Sequence, residues 1–235
     1  MKNNSATCDP SIHNITNFLA SSVHDMKNSV SMLIYSLEKV LASVETTQLS
    51  AHTELLQVSH EAKRINNNLV QLLTLYKLDQ KIYPFDPQNI CLDDFLHTIA
   101  AQYTGLFESR GVNLEVHANP GLYWYFDEDL VSSVVSNALN NAMRYARSCI
   151  HIIADKKAGK LELRIEDDGD GYPVQILQES DNPIRSVDFQ EGNTGLGFYF
   201  AGMVACMHHN QGDVGELKLR NGGSLEGACF VLILP

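Results

Sequence analysis

The sequence predicts an α+β protein, an antiparallel helical hairpin that forms a dimeric four-helix bundle, followed by a two-layer α/β sandwich. Three observations predict it. Apolar residues recur at alternating spacings of three and four over two long stretches of the first third. Two prolines, Pro84 and Pro87, then end that pattern. Beyond them, short β-type runs alternate with helix-period segments and glycine turns.

Residues 1–14 read as a flexible lead-in. From Val23 the apolar positions are Val23, Met26, Val30, Leu33, Leu37, Val40 and Val44, the seam of a packed helix. The same alternation returns at Leu55, Val58, Ala62, Ile65, Leu69, Leu72 and Tyr76. The polar segment 45–53, with Thr46, Thr47 and Ser50, is short enough to make the two helices antiparallel. One hairpin cannot bury a continuous stripe by itself, and pairing two hairpins is the economical solution. Residues 15–82 are therefore expected to form a homodimer; the alternative is that the stripe packs on the chain's own second half.

Residues 83–235 are expected to form the second domain. A helix is predicted over 92–109, with Asp93 and Asp94 near its positive end, then a strand over 112–117 and a helix over 127–145. Strands at 150–154 and 161–165 read as a hairpin. A helix near 197–207 precedes terminal strands near 216–219 and 228–234.

Composition excludes several function classes. The chain has 235 residues, 44% of them hydrophobic, and a formal net charge of −11. That charge argues against a nucleic-acid partner, because phosphate binding needs concentrated Lys and Arg. No apolar run approaches the roughly 20 residues that cross a bilayer, and no basic-then-apolar leader follows Met1. The expectation is a soluble cytoplasmic protein. The five cysteines are scattered and lack C-x-x-C spacing, so the sequence indicates neither a disulfide framework nor a zinc site. His208 and His209 are adjacent without a ligand at metal spacing and read as surface or packing residues. No G-x-x-x-x-G-K-[ST] loop and no V-A-I-K or D-F-G set is present.

Four constellations carry chemistry. With Val23 at heptad position a, His24, Asp25 and Asn28 face outward, and Asn28 lies one turn from His24. An imidazole accepts a phosphoryl group only through a deprotonated nitrogen, and a neighbouring carboxylate fixes the useful tautomer. An exposed His beside an Asp is also a common solvated pair. In Asn137-Ala-Leu-Asn140-Asn141-Ala-Met-Arg144-Tyr145, Asn137, Asn141 and Arg144 share one helix side, opposite Val131, Val134, Val135, Ala138, Leu139 and Ala142. Amide oxygens suit Mg²⁺ and an Arg can neutralise phosphate, although an Asn-rich exposed helix side is the plainer reading. Asp167-Asp168-Gly169-Asp170-Gly171 follows a strand, where glycines admit a ligand to the backbone and an Asp can accept from an exocyclic amine. A calcium loop would need Glu at its twelfth position, which is Gln178. Finally, Gly192-Asn193-Thr194-Gly195-Leu196-Gly197 opens an apolar helix, a suitable polyphosphate cradle.

The order of these elements, from His24-Asp25-x-Lys27-Asn28 through the Asn-rich helix and D-x-G-x-G to G-x-T-G-L-G, resembles the sensor histidine kinases of two-component signalling over residues 20–235. The second domain resembles the ATP-binding fold that those kinases share with gyrase and the heat-shock ATPases. The hairpin resembles their dimerisation and phosphoacceptor domain. The resemblance implies ATP-dependent phosphorylation of His24 and transfer to an aspartate on a response regulator receiver domain. Asp25 would orient or deprotonate His24, and Asn28 would position water for regulator dephosphorylation. Asn141 would hold Mg²⁺ and Asn137 would be the first nucleotide-side Asn. Arg144 would meet the phosphates and Tyr145 the base. Asp167 would read adenine, with Gly169 and Gly171 completing that box; Thr194, Gly195, Leu196 and Gly197 would form the phosphate loop, and Gly227 is the late glycine before the last strand. ATP and Mg²⁺ are the implied cofactors, with a separate sensor protein as a further partner. A hinge near residues 84–87 would let the ATP domain reach His24. Departures are Ser29 where the family usually has Pro, Asn193 for a common Gly, and a lid after Tyr172 with only Phe189 to serve as its phenylalanine box. Two other readings stay open: an inert scaffold that binds regulators through its bundle, and a regulator phosphatase with little kinase activity.

Overall fold

The computed structural model describes residues 23, 26–28, 30–38, 40, 49–179 and 196–235, without side chains at 49–54, 56, 57, 60 and 179. The chain divides into two compact units, Met1–Tyr83 and Pro84–Pro235.

In the first unit, helical residues 26–28 and 30–38 belong to α1, and α2 spans Leu49–Asp79. Their antiparallel direction follows from two contacts. Ser31 Oγ donates to Asn66 Oδ1 at 3.3 Å, whereas Glu38, further along α1, pairs at 2.7 Å with Lys63, which is earlier on α2. Ser50 and Thr53, expected in the turn, are instead helical. A polar residue in a helix costs only a few tenths of a kcal/mol, which the propagation of a long helix easily offsets. The seam splits into two sets. Val23 is buried, and Val30, Leu37, Leu55, Ala62, Leu69 and Tyr76 are half-buried. Met26, Leu33 and Val40, and on α2 Val58, Ile65 and Leu72, recur every seventh residue and are 44% to 59% exposed in the single chain.

The second unit contains, in order, β1 (Gln88–Cys91), α3 (Leu92–Ala101), α4 (Thr104–Arg110), β2 (Asn113–Ala118), β3 (Tyr123–Phe126), α5 (Glu128–Tyr145), β4 (Cys149–Lys157), β5 (Lys160–Asp167), α6 (Val174–Glu179), α7 (Leu196–Met207), β6 (His209–Asn210), β7 (Asp213–Val214), β8 (Glu216–Asn221) and β9 (Ala228–Leu234). A mixed five-stranded sheet has the order β2-β4-β5-β9-β8, parallel between β2 and β4 and antiparallel elsewhere. The β4–β5 hairpin turns through Ala158 and Gly159, both at positive φ, as a two-residue loop with right-handed strand twist requires. Helices α3, α5 and α7 pack on one face of the sheet. Their core joins Phe95, Leu96, Leu130, Val134 and Phe200 to Ile150, Ile152, Leu163, Ile165 and Leu232. The opposite face is a charged lattice. There Arg164, whose side chain is 12% exposed, pairs with Asp155 at 2.8 Å, Glu162 at 2.7 Å and Glu166 at 3.1 Å.

The helix expected over 92–109 is two helices. The chain bends at Gln102 and Tyr103, so that buried Tyr103 donates to Ser136 O on α5 at 3.2 Å while Phe107 stays in the core. Four short strands lie outside the sequence expectation: among the described residues β1 pairs with β3 alone, Gln88 opposite Phe126 and Cys91 opposite Tyr123, and β6 pairs with β7. A four-residue strand carries too little alternation to announce itself.

Candidate functional site

Helix α5 starts where the Asp127 carboxylate accepts the Leu130 N–H at 3.0 Å, satisfying a first-turn donor. Its apolar positions Val131, Val134, Val135, Ala138, Leu139 and Ala142 are all buried, which leaves Asn137 and Asn141 half-buried on the other side and Arg144 and Tyr145 exposed. The Arg144 guanidinium lies 5.9 Å from the centre of the Tyr145 ring. Asn140, between the two asparagines, points into the core instead.

Along β5, Leu161, Leu163, Ile165 and Asp167 share the helix-covered face by strand alternation, and Glu166 points to the opposite one. Asp167 is thus a buried carboxylate. Its Oδ1 accepts the N–H groups of Gly169 at 2.9 Å and Ala228 at 3.2 Å; neither bond uses Oδ2. Burial pushes this carboxyl above its ordinary value, against the pull of the two N–H groups. Only glycine fits around it. A Cβ on Gly169 would lie 2.5 Å from Tyr145 O, and one on Gly227 would press on Asp167 O. Gly171 sits at φ +81 beside the Asn221 side chain.

Asp168 ties the end of α5 to this loop. Its carboxylate accepts from Arg147 N at 2.7 Å, Ser148 N at 2.9 Å and Ser148 Oγ at 2.6 Å. Burial opposes ionisation, but these donors outweigh it and hold the group well below the usual carboxylate range. Asp170 pairs with Arg147. On the other side, Tyr172 N–H donates to Asn221 Oδ1 at 2.7 Å and Asn221 Nδ2 donates to Tyr172 O at 3.0 Å. The Tyr172 ring meets Phe198 of α7 edge-on at 5.9 Å, and burial, then the Asp167 charge, push its phenol far up.

Helix α7 closes the arrangement. A Cβ on Gly197 would overlap the Asn137 side chain, so the start of α7, with Leu196, abuts the asparagine side of α5. The structure therefore brings Asn137, Tyr145, Asp167, Gly169, Gly171 and Gly197 to one locus, with Asn141 one helical turn from Asn137. Asn28 is exposed on α1 in the other unit. His24, Asp25, Thr194, Gly195 and Phe189 lie outside the described residues. Tyr172, Phe198 and Asn221 were missed; the aromatic directly after the second loop glycine was the available signal, and nothing in the sequence ties Asn221 to that loop.

Residues 126–235 match the family model described as histidine kinase-, DNA gyrase B- and HSP90-like ATPase. The second unit is an ATP-binding domain of the histidine-kinase type. Over 224 residues, 93% of the chain, it is 25% identical to the sensor protein SrrB of Staphylococcus aureus, and it spans 37% of the length of that relative. In fold, the chain is similar to the Acinetobacter baumannii histidine kinase AdeS (TM-score 0.58, 15% identity, 90% of this chain and 96% of that one). It is likewise similar to full-length ShkA, solved in complex with AMPPNP (TM-score 0.61, 16% identity, 93% of this chain and 45% of that one). The histidine kinase ThkA catalytic domain aligns with 64% of the chain at a TM-score of 0.54 and 17% identity, covering 97% of its own length. No described helix is long and apolar enough to cross a membrane.

Proposed function

We propose that the chain is the core of a histidine protein kinase, which phosphorylates His24 from ATP and passes the phosphoryl group to an aspartate of a response regulator receiver domain. The observation that carries this reading is the closure of three separate motif segments around Asp167, whose buried carboxylate and glycine surround suit the exocyclic amine of adenine. The residues present fit the nucleotide and its metal. Asn141 offers a hard amide oxygen for Mg²⁺, Asn137 and the start of α7 would meet the phosphates, and Arg144 would neutralise their charge. Bound Mg²⁺ would screen the triphosphate charge, and the protein's share is positioning.

Residues 15–82 act as the dimerisation and phosphoacceptor domain. The split seam supports this, because one apolar set is used within the hairpin and the other, every seventh residue, is left for a second hairpin. Asp25 fixes the reactive tautomer of His24. Asn28, exposed on α1, positions water for dephosphorylation of the regulator.

Incubation of the protein with Mg²⁺ and γ-labelled ATP tests the reading. Acid-labile label on the parent, absent from His24→Gln although nucleotide still binds, is the expected outcome; acid-labile label on the variant would overturn the assignment.

A further inference from the structure

The nucleotide locus uses the helix-covered side of the sheet and the end of β5. On the opposite face, a second cluster of metal-ligating side chains is assembled by strand pairing. Strands β2 and β4 are parallel, with Asn113 opposite Cys149, Glu115 opposite His151 and His117 opposite Ile153. Alternation sends Glu115, His117, Cys149 and His151 to the face away from the helices, since their neighbours Ile150 and Ile152 are fully buried beneath them. One ligand atom from each of Glu115, Cys149 and His151 lies within 4.8 Å of the other two. His151 Nε2 is 3.5 Å from Glu115 Oε2, and His117 Nε2 is 3.3 Å from the same oxygen.

A second, independent observation sets the tautomer of His151. Its Nδ1 lies 2.9 Å from Ser224 Oγ. That hydroxyl donates its one proton to Glu166 Oε2 at 2.7 Å, and the Ser224 N–H donates to the same oxygen at 2.7 Å. With its proton committed to a carboxylate, Ser224 Oγ can only accept, so Nδ1 carries the hydrogen of a neutral His151. The Nε2 lone pair is then aimed at the Glu115 carboxylate. A lone pair facing an anion is unfavourable; a proton on Nε2 relieves it, and so does a metal cation bound to both, for which the neighbouring Cys149 Sγ supplies a third ligand. Histidines that bind metals show this same arrangement, the outer nitrogen donating to an oriented oxygen while the inner one ligates.

We propose that Glu115, Cys149 and His151 form a zinc site on the open face of the sheet, with the fourth position left to solvent and with Ser224 and Glu166 orienting His151. A carboxylate, a thiolate and an imidazole are a zinc ligand set, whereas the Mg²⁺ of a nucleotide prefers oxygen alone. The site is thereby chemically distinct from the one proposed around Asn141. It does not depend on the kinase reading, because none of its residues belongs to the nucleotide locus.

Reduced, tag-free full chain, stripped by chelation, is titrated with Co²⁺ and then with Zn²⁺. Expected are one high-affinity Co²⁺ per chain, visible bands of tetrahedral intensity, a near-ultraviolet thiolate-to-cobalt band, and displacement of all three by Zn²⁺. Cys149→Ser should lose the thiolate band, and Glu115→Gln and His151→Ala should each bind at least about tenfold more weakly, as should Ser224→Ala, which retains the thiolate band. Circular dichroism of each variant checks that the sheet is intact. A thiolate band that survives Cys149→Ser, affinities unchanged in Glu115→Gln and His151→Ala, or no saturable Co²⁺ binding by the parent would each overturn the proposal.

Discussion

At Asp167 a single carboxylate oxygen satisfies two backbone donors, and that economy makes a conservative change informative. In Asp167→Asn the amide oxygen must still accept from Gly169 and Ala228, so the NH₂ group takes the second position and offers a donor where adenine also offers one. Nucleotide affinity should fall at least about tenfold in a calorimetric titration, while the melting temperature changes little. His208 makes a different kind of prediction. It is buried, its Nε2 accepts the Asp127 N–H at 3.0 Å, its Nδ1 donates to Val204 O at 2.8 Å, and Phe85 meets its ring edge-on at 5.1 Å. Burial lowers its pKa, His209 adds to the drop, and Val204 O and the Asp127 charge oppose it. The unfolded chain therefore takes up the proton first. Stability should be full above the unfolded value of about 6.5 and drain as pH falls through the lower folded value. Melting temperatures measured between about pH 7.5 and 5 should drop for the parent and show a flatter pH slope in His208→Gln. The depressed carboxylates Glu162, Glu166 and Asp168 act in a lower window, below about pH 4.5.

The elements of the second unit are joined at their ends by side chains that lie far apart in sequence. Asp168 holds the first residues after α5, so Asp168→Ala should free three donors at the entry to β4 and cost about 1–2 kcal/mol in urea unfolding. At the other join, α7 reaches α5 only because residue 197 has no side chain. Gly197→Ala should push Asn137 aside and weaken nucleotide binding more than it lowers stability, which parallel titration and melting experiments separate. An equal loss in both would mean that the glycine serves packing alone.

For the whole molecule, the exposed set of the seam is where the proposed dimer is tested. Leu33 and Ile65 are each among the every-seventh apolar residues left open in the single chain. Light scattering should give about twice the chain mass of 26.1 kDa for the parent and a monomer for Leu33→Glu with Ile65→Glu. A monomeric parent would return the stripe to the chain's own second half as its cover. If the dimer forms, mixing His24→Gln with Asp167→Asn protomers should restore acid-labile label only when one protomer phosphorylates the other.

The sequence by itself determined the order and type of the longer elements and the faces they bury. The period of Val131 to Ala142 fixed which side of α5 lies in the core, and the alternation in Leu161 to Ile165 fixed that of β5, because local periodicity and burial are the same constraint seen at two scales. It also named the loop residues beside Asp167, whose glycines are dictated by backbone approach. Only the tertiary structure decided which distant residues meet. The bend at Gln102, the pairing of β1 with β3, the Asn221 clamp on Tyr172 and the meeting of Glu115 with Cys149 and His151 all arise from contacts between segments 30 or more residues apart. Cysteine spacing along the chain gave no hint of a metal ligand set, since it is the parallel register of β2 and β4 that adds Glu115 to Cys149 and His151 of one strand.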